Sequence, residues 1–465
     1  MQKTVAYGVL SLAALCATVS GSARAADSAT TAPTGAVSLT EALAFALKNQ
    51  PEVLAAKARL LAARAAAQVP GAAWLPTVGA LAEVVGATTN NSTATVISNA
   101  ALDLPRIGGT SVATSNDFAP HATTLLGVGV RQELFDFGRI AAETAAASAR
   151  AAVDEQRARA ARLDTILTVT EAYYAVLAAR AVLDVATRAQ ERAQLHRDYA
   201  QAGVMSGLRA PIDLTRAKAD LTRFAVSRIR AEGSLRVAKS VLAAAVGVAA
   251  PELDAKEAPD MAGPLPSRYD VQAQARDADP AVRSAIFQAR AQRLQTEAIE
   301  RSSRPNLFVT AAISGRAGGA VASNGVIADG DGWLPSALNY SAALVLEWPI
   351  YRGTSRAQAE ASRRTEQARL TEVEVARRAA TTRAEQVYRN LEEVTATLDA
   401  LARAADAAKA NHEQAEARFR AGLGTSTELA DAETLRIDAE IELAVGHFQV
   451  AVARAALARA MSEEP

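Results

Sequence analysis

The hydrophobic positions of this chain follow two periods. From Thr124 the period is two, with Leu126, Val128, Val130 and Leu134 on one side and Gly127, Gly129, Arg131 and Glu133 on the other. Such alternation predicts a half-buried strand. The pattern returns at Leu307, Val309, Ala311 and Ile313 against Phe308, Thr310, Ala312 and Ser314. It returns again at Tyr340, Ala342, Leu344, Leu346, Trp348 and Ile350 against Ser341, Ala343, Val345, Glu347 and Pro349. Thr77 to Ala87 alternates small, apolar and polar residues. Strands are therefore expected at about 77–87, 123–135, 306–315 and 339–350. Elsewhere the spacing is three and four, the mark of helices. An early helix opens at Ser38 or Thr40 as N-cap, carries Leu39, Leu43, Leu47, Val53, Leu54 and Leu60, and is interrupted by Pro51. A helix from about Ile140 to Ala202, with Ile166, Val169, Tyr173 and Leu183 on its stripe, would be of order 90 Å long.

Two tips turn these long helices back on themselves. Gly207 stops one helix, and Pro211 suits the first turn of the next, which runs to Val246. Gly422 and Gly424 stop a helix that begins near Ser355. Thr425 and Glu428 are then spaced as a capping box for a last helix from Thr427 to Met461. The halves match. Asp279-Pro280-Ala281-Val282 mirrors Gln50-Pro51-Glu52-Val53, and Pro305 mirrors Pro76, both at an offset of 229. Gly207 lies 72 residues beyond Phe135, and Gly422 lies 71 beyond Tyr351. Each half reads helix, strand, loop, strand, long helix, tip, long helix. The expected division is residues 1–26 as a processing segment, 27–250 as a first repeat, 251–278 as a Pro-rich connector and 279–465 as a second repeat.

Composition sharpens the picture. Alanine dominates and aromatics are 4%, as in long packed helices rather than several ordinary domains. Formal net charge is zero over 465 residues, so no basic field points to nucleic acid. Lys3, the apolar run Val5 to Val19 and the small residues of Ser22-Ala23-Arg24-Ala25 read as a signal peptide cleaved near Ala25 or Ala26. Cys16, the single cysteine, lies in that run with Leu15 before it, where a lipoprotein signal wants a small residue. Its removal leaves no thiol for a disulfide. No later stretch reads as some 20 strongly apolar residues, so a membrane would have to be crossed by a barrel.

In that order and spacing, Leu39-Thr40-Glu41-Ala42-Leu43 with Asn49-Gln50-Pro51, Leu75-Pro76, Leu134-Phe135-Asp136-Phe137-Gly138-Arg139, and Phe419-Arg420-Ala421-Gly422-Leu423 with Leu429 and Ala432 beyond it resemble the TolC family of outer-membrane efflux and secretion ducts, from about Ser38 to Met461. The resemblance implies a mainly α chain with a small β part. Three copies would build a hollow α-helical tunnel across the periplasm and a shared twelve-stranded barrel, four strands from each. It implies a passive exit duct of a tripartite efflux pump or a type I secretion system, with a periplasmic adaptor and an inner-membrane pump or ABC transporter as partners. One difference stands at the first tip: Val204 occupies the place of the family's aromatic, and aligning on Gly203 puts Ala200 there instead. The alternative class is a periplasmic coiled-coil adaptor or structural protein, which would have no lipid-facing strands.

The resemblance places Glu428 and Asp431 at an acidic constriction at the periplasmic end of the tunnel, with Asp213 the first-half counterpart of Glu428 and Arg216 opposite Asp431. The plainer readings are that Glu428 completes a capping box and Asp213 suits a helix first turn. Gly207, Leu208, Gly422 and Leu423 are the adaptor-contact candidates; turn geometry explains the glycines but not the exposed leucines. Trp333, Tyr340 and Trp348 flank the strands as interface aromatics would, and the polar loops 88–122 and 317–338 would face outside. Arg131, Glu133 and Glu347 would face the lumen. No catalytic constellation, phosphate loop or cofactor signature is legible: His121, His196, His412 and His447 stand far apart, without metal-ligand spacing. An enzyme is not expected.

Overall fold

In the computed structural model, residues 35–87, 121–248, 253–257, 265–318 and 337–464 are described. The expected signal peptide with Cys16, and the loop residue Trp333, lie outside them. In chain order come β1 (Gly35–Val37), α1 (Leu39–Asn49), α2 (Pro51–Gln68), a 3-10 turn (Pro70–Trp74), β2 (Thr77–Ala87), β3 (His121–Phe135), α3 (Arg139–Met205) and α4 (Pro211–Val246). Then follow β4 (Leu253–Ala255), α5 (Arg268–Ala278), α6 (Pro280–Arg301), β5 (Asn306–Gly318), β6 (Ala337–Glu347), α7 (Gly353–Arg420) and α8 (Ser426–Met461). Residues 268–278, which the sequence left to the connector, form α5, the counterpart of α1.

Local chemistry sets these boundaries. Ser38 and Glu41 form a reciprocal capping box that opens α1. Gln50 is extended before Pro51, so the early helix breaks in two there. Asp279 repeats this before Pro280, its carboxylate accepting from the Ala281 amide at 2.7 Å. The buried Asp136 carboxylate accepts from the amides of Gly138 (2.9 Å) and Ile140 (2.5 Å) and so starts α3 directly after β3. At 67 and 68 residues, α3 and α7 are each about 100 Å long. The exposed face of α7 carries many Arg–Glu pairs at i,i+3 and i,i+4, among them Arg364–Glu360, Arg377–Glu374 and Arg389–Glu385. Each supports the helix by a few tenths of a kcal/mol at most.

Alanine lets the helices lie close together. Much of the buried side of α3 is alanine, including Ala142, Ala146, Ala186, Ala189, Ala193 and Ala200. α3 and α8 each contain an 18-residue window that meets the apolarity of a membrane span by length and composition only. Both also pack against other helices along their length. The main core sits midway along the helices, where Val169, Tyr173, Val176, Leu242 and Val246 are buried with Val37 and Leu253. The last two belong to β1 and β4, which pair in parallel. The Tyr173 hydroxyl lies 2.6 Å from the Lys256 carbonyl and 3.2 Å from that of Val37. It thereby ties both short strands to α3.

The other sheet has four antiparallel strands in the order β2-β3-β5-β6. Its register aligns the period-two pattern across strands: Ala80 pairs with Val128, Val128 with Ile313, and Ile313 with Tyr340. Val78, Val84, Leu126, Val128, Ile313, Leu344 and Leu346 are all exposed on one face. Phe308, Thr310 and Ala312 are buried on the other. Trp348, expected within the last strand, lies just past its end at Glu347.

Candidate functional site: the hairpin tips and the strand end

The two tips have the same backbone. Gly207 (φ 74°) and Gly422 (φ 73°) are left-handed. The Leu208 amide donates to the Gly203 carbonyl at 2.9 Å, and the Leu423 amide to that of Arg418 at 2.9 Å. The Gly207 and Gly422 amides close the inner bonds on Val204 and Phe419, each at 3.1 Å. Both are therefore glycine-terminated helix ends whose last carbonyls are satisfied by the turn. This selects Gly207, not Gly203, as the partner of Gly422, and sets Val204 opposite Phe419. The missing aromatic is met in space. The Arg209 guanidinium lies 3.6 Å from the centre of the Phe419 ring and donates to the Phe419 carbonyl at 2.7 Å. Leu208 and Leu423 are 84% and 75% exposed, so the turns leave both leucines unpacked within the chain.

The three acidic candidates differ. Glu428 receives the Thr425 amide at 3.3 Å while its own amide donates to the Thr425 hydroxyl at 3.1 Å, a complete capping box. Asp213 accepts from the Ser426 hydroxyl at 2.8 Å, and Arg216 donates to the Thr427 hydroxyl at 2.8 Å. These two bonds join the start of α4 to the start of α8, a link no local pattern announced. Asp431 is exposed and has no hydrogen bond or ion pair among the described residues. Of the three, only its carboxylate is uncommitted.

Three turns of helix from the tips lies a polar cluster absent from the sequence expectations. Glu433 of α8 is buried and receives Arg192 Nε of α3 at 2.7 Å. Its other oxygen, Oε2, lies 2.5 Å from Nε2 of the buried His412 of α7. Arg436 approaches His412 Nδ1 at 3.2 Å and also pairs with Glu440 at 2.7 Å. Burial pushes the Glu433 carboxyl up, but the bonds from His412 and Arg192 outweigh it and hold it below the usual range. His196 of α3 completes the group, its ring centre 6.4 Å from that of His412. Burial pushes its imidazole down. The signal was present: His196 lies 11 residues before Gly207, His412 lies 10 before Gly422, and Glu433 lies 11 after it. Equal distance from two adjoining tips brings them level.

At the strand end, Tyr340 (88% exposed) and Trp348 (59% exposed) bound the apolar face of β6. Eight residues of strand separate them by about 26 Å, close to the height of ~25 Å typical of a membrane barrel's apolar band. On the inward side Arg131 stacks 3.7 Å above the Phe308 ring and lies 3.6 Å from Glu133, and Glu347 pairs with Arg352 at 3.8 Å.

Residues 43–248 match the family model for outer membrane efflux proteins. Over these residues the chain is similar to outer membrane efflux proteins. Its fold is that of solved outer-membrane channels. The channel OprN is 19% identical, with a TM-score of 0.73 over 92% of this chain and 90% of that one. VceC of Vibrio cholerae is also 19% identical, with a TM-score of 0.70 over 91% and 96%. MtrE of Neisseria gonorrhoeae, solved in an open state, is 20% identical, with a TM-score of 0.69 over 91% and 89%. No curated protein matches the chain significantly in sequence. The family model describes outer membrane efflux proteins, and the matched structures are described as outer-membrane channels.

Proposed function

We propose that three copies of this chain form one exit duct, which passively conducts substrate from a periplasmic adaptor and an inner-membrane transporter to the exterior. The observation that carries this is the four-stranded sheet. β2 and β6 are its outer strands and each has an edge unpaired among the described residues, while one face is continuously apolar. In lipid such edges cannot be left open. Four strands are too few to close a barrel, and three copies supply twelve. Tyr340 and Trp348 then mark the two rims of the lipid-facing band.

At the other end, Leu208 and Leu423 with Gly207 and Gly422 form the surface on which the adaptor docks. Asp431 lines the constriction, where three symmetry-related carboxylates gather about one axis, attracting cations and resisting like charge. Glu428 and Asp213 support the constriction from behind, through the cap and through Ser426. The transporter of such an assembly is a pump or an ABC transporter, as in efflux or type I secretion. The duct needs no cofactor for passive conduction.

The test is assembly. Native protein should fractionate with the outer membrane and migrate in detergent gels as a heat-sensitive trimer. Protein that stays monomeric and soluble without detergent sinks the proposal and favours the adaptor-like alternative.

A further inference from the structure

The cluster below the tips has a feature that hydrogen bonding leaves unexplained. His196 Nδ1 is buried without a hydrogen-bond partner, and the buried His412 Nε2 and Glu433 Oε2 meet only each other, at 2.5 Å. The three residues offer ligand atoms that all lie within 4.8 Å of one another. Orphaned buried polar atoms are costly and call for an occupant. His196 carries such an atom, and it meets the His412–Glu433 pair from a third helix.

We propose that His196, His412 and Glu433 bind a first-row transition cation of the Zn²⁺ class, tying α3 to α7 and α8 below the tips. Two imidazoles and one carboxylate suit Zn²⁺, Cu²⁺ or Ni²⁺ and are poor for Mg²⁺ or Ca²⁺, which want oxygen. A cavity of ≈ 40 Å³ lies against His196 and Glu433. That is room for one water, the usual fourth ligand of a three-residue zinc site. Arg192 occupies Glu433 Oε1 at 2.7 Å. It orients the carboxylate so that Oε2 faces the histidines, as second partners of ligating carboxylates do.

The arrangement must shift slightly to admit the ion. Bonds of about 2.0–2.1 Å in a tetrahedron hold ligand atoms roughly 3.3–3.5 Å apart, so His412 Nε2 and Glu433 Oε2 must separate from their present 2.5 Å. In the metal-free network Arg436 donates to His412 Nδ1, which leaves the ring proton on Nε2. Ligation through Nε2 moves that proton to Nδ1, where it faces Arg436. Arg436 must then withdraw, and its pairing with Glu440 gives it a place to stay. Arg436 is thus a competitor of the metal, and that gives the proposal a test that a purely structural network does not share.

Untagged full-length protein in detergent, stripped with chelator, would be titrated with Co²⁺ and then with Zn²⁺. Expected are one Co²⁺ per chain with visible ligand-field bands, and displacement by Zn²⁺. His196→Asn should weaken binding at least tenfold with unchanged helical circular dichroism, and Arg436→Met should tighten it about tenfold. His196 is only half-buried, so its variant keeps the test alive if Glu433→Gln fails to fold. Absence of stoichiometric uptake, uptake indifferent to His196→Asn, or weaker binding in Arg436→Met would each overturn the proposal. None of these outcomes depends on whether the chain forms a duct.

Discussion

Individual side chains at the tips fall into those the fold has already used and those it has left free. Glu428 and Asp213 are bound into a cap and an inter-helix link. Asp431 is not, and in the proposed duct it is the residue at which charge would act on what passes. Asp431→Ala should therefore raise single-channel conductance or reduce cation preference in planar bilayers, and an unchanged current would remove it from the constriction. A second residue-scale effect concerns acid. Glu385 of α7 receives Arg268 Nε at 2.7 Å, Gln272 at 2.7 Å and Arg389 Nε at 3.0 Å. The Arg268 bond foremost, with Gln272 and Arg389 and against a burial effect of opposite sign, holds its carboxyl down at about 2, below the ordinary 4.5. A depressed carboxyl stabilises fully above its unfolded value and loses that effect as pH falls through the folded one. The gap in melting temperature between wild type and Glu385→Gln should be widest above pH 4.5 and close towards pH 2. A gap that persists at pH 2 would refute the link. Such exposed contacts are modest in size.

Among elements, the helical hairpins were legible and their partnership was not. Gly207, Pro211, Gly422 and the Thr425–Glu428 spacing mark both turns because left-handed glycine and helix caps are local chemistry. The bonds from Arg209 to Phe419 and from Ser426 to Asp213 each span more than 200 residues, and no periodicity encodes them. The alignment of the first tip, open in the sequence, is decided by its backbone bonds. Since the turns hold Leu208 and Leu423 out in solvent, the double variant Leu208→Asp, Leu423→Asp should leave trimer migration intact. It should abolish export and crosslinking to the cognate adaptor. Retained export would show that docking lies elsewhere.

At the scale of the molecule, the proposed duct would set one face of the sheet against lipid and the other against water. Leu344 is exposed on the apolar face, midway between Tyr340 and Trp348, while its neighbour Val345 points inward. An arginine at the middle of a barrel's lipid face costs roughly 2–4 kcal/mol, whereas lumen substitutions are tolerated. Leu344→Arg should lower the yield of heat-sensitive trimer in the outer membrane severalfold, and Val345→Arg should not. Equal losses would mean that the two faces have been assigned the wrong way round.

Sequence alone determined what short-range physics controls. It gave the period-two strands, because side chains alternate across a pleat. It gave the long helices, because alanine with apolar residues every three or four positions has no better conformation. It gave the tips, because glycine and capping residues act within a few positions. Tertiary structure decided what depends on distance in space: that α5 forms within the connector, that Asp136 reaches past Phe137 to start α3, and that His196, His412 and Glu433 meet. Those three stand far apart along the chain. Only the antiparallel return of two adjoining hairpins, with each residue about three turns from its tip, places their side chains together.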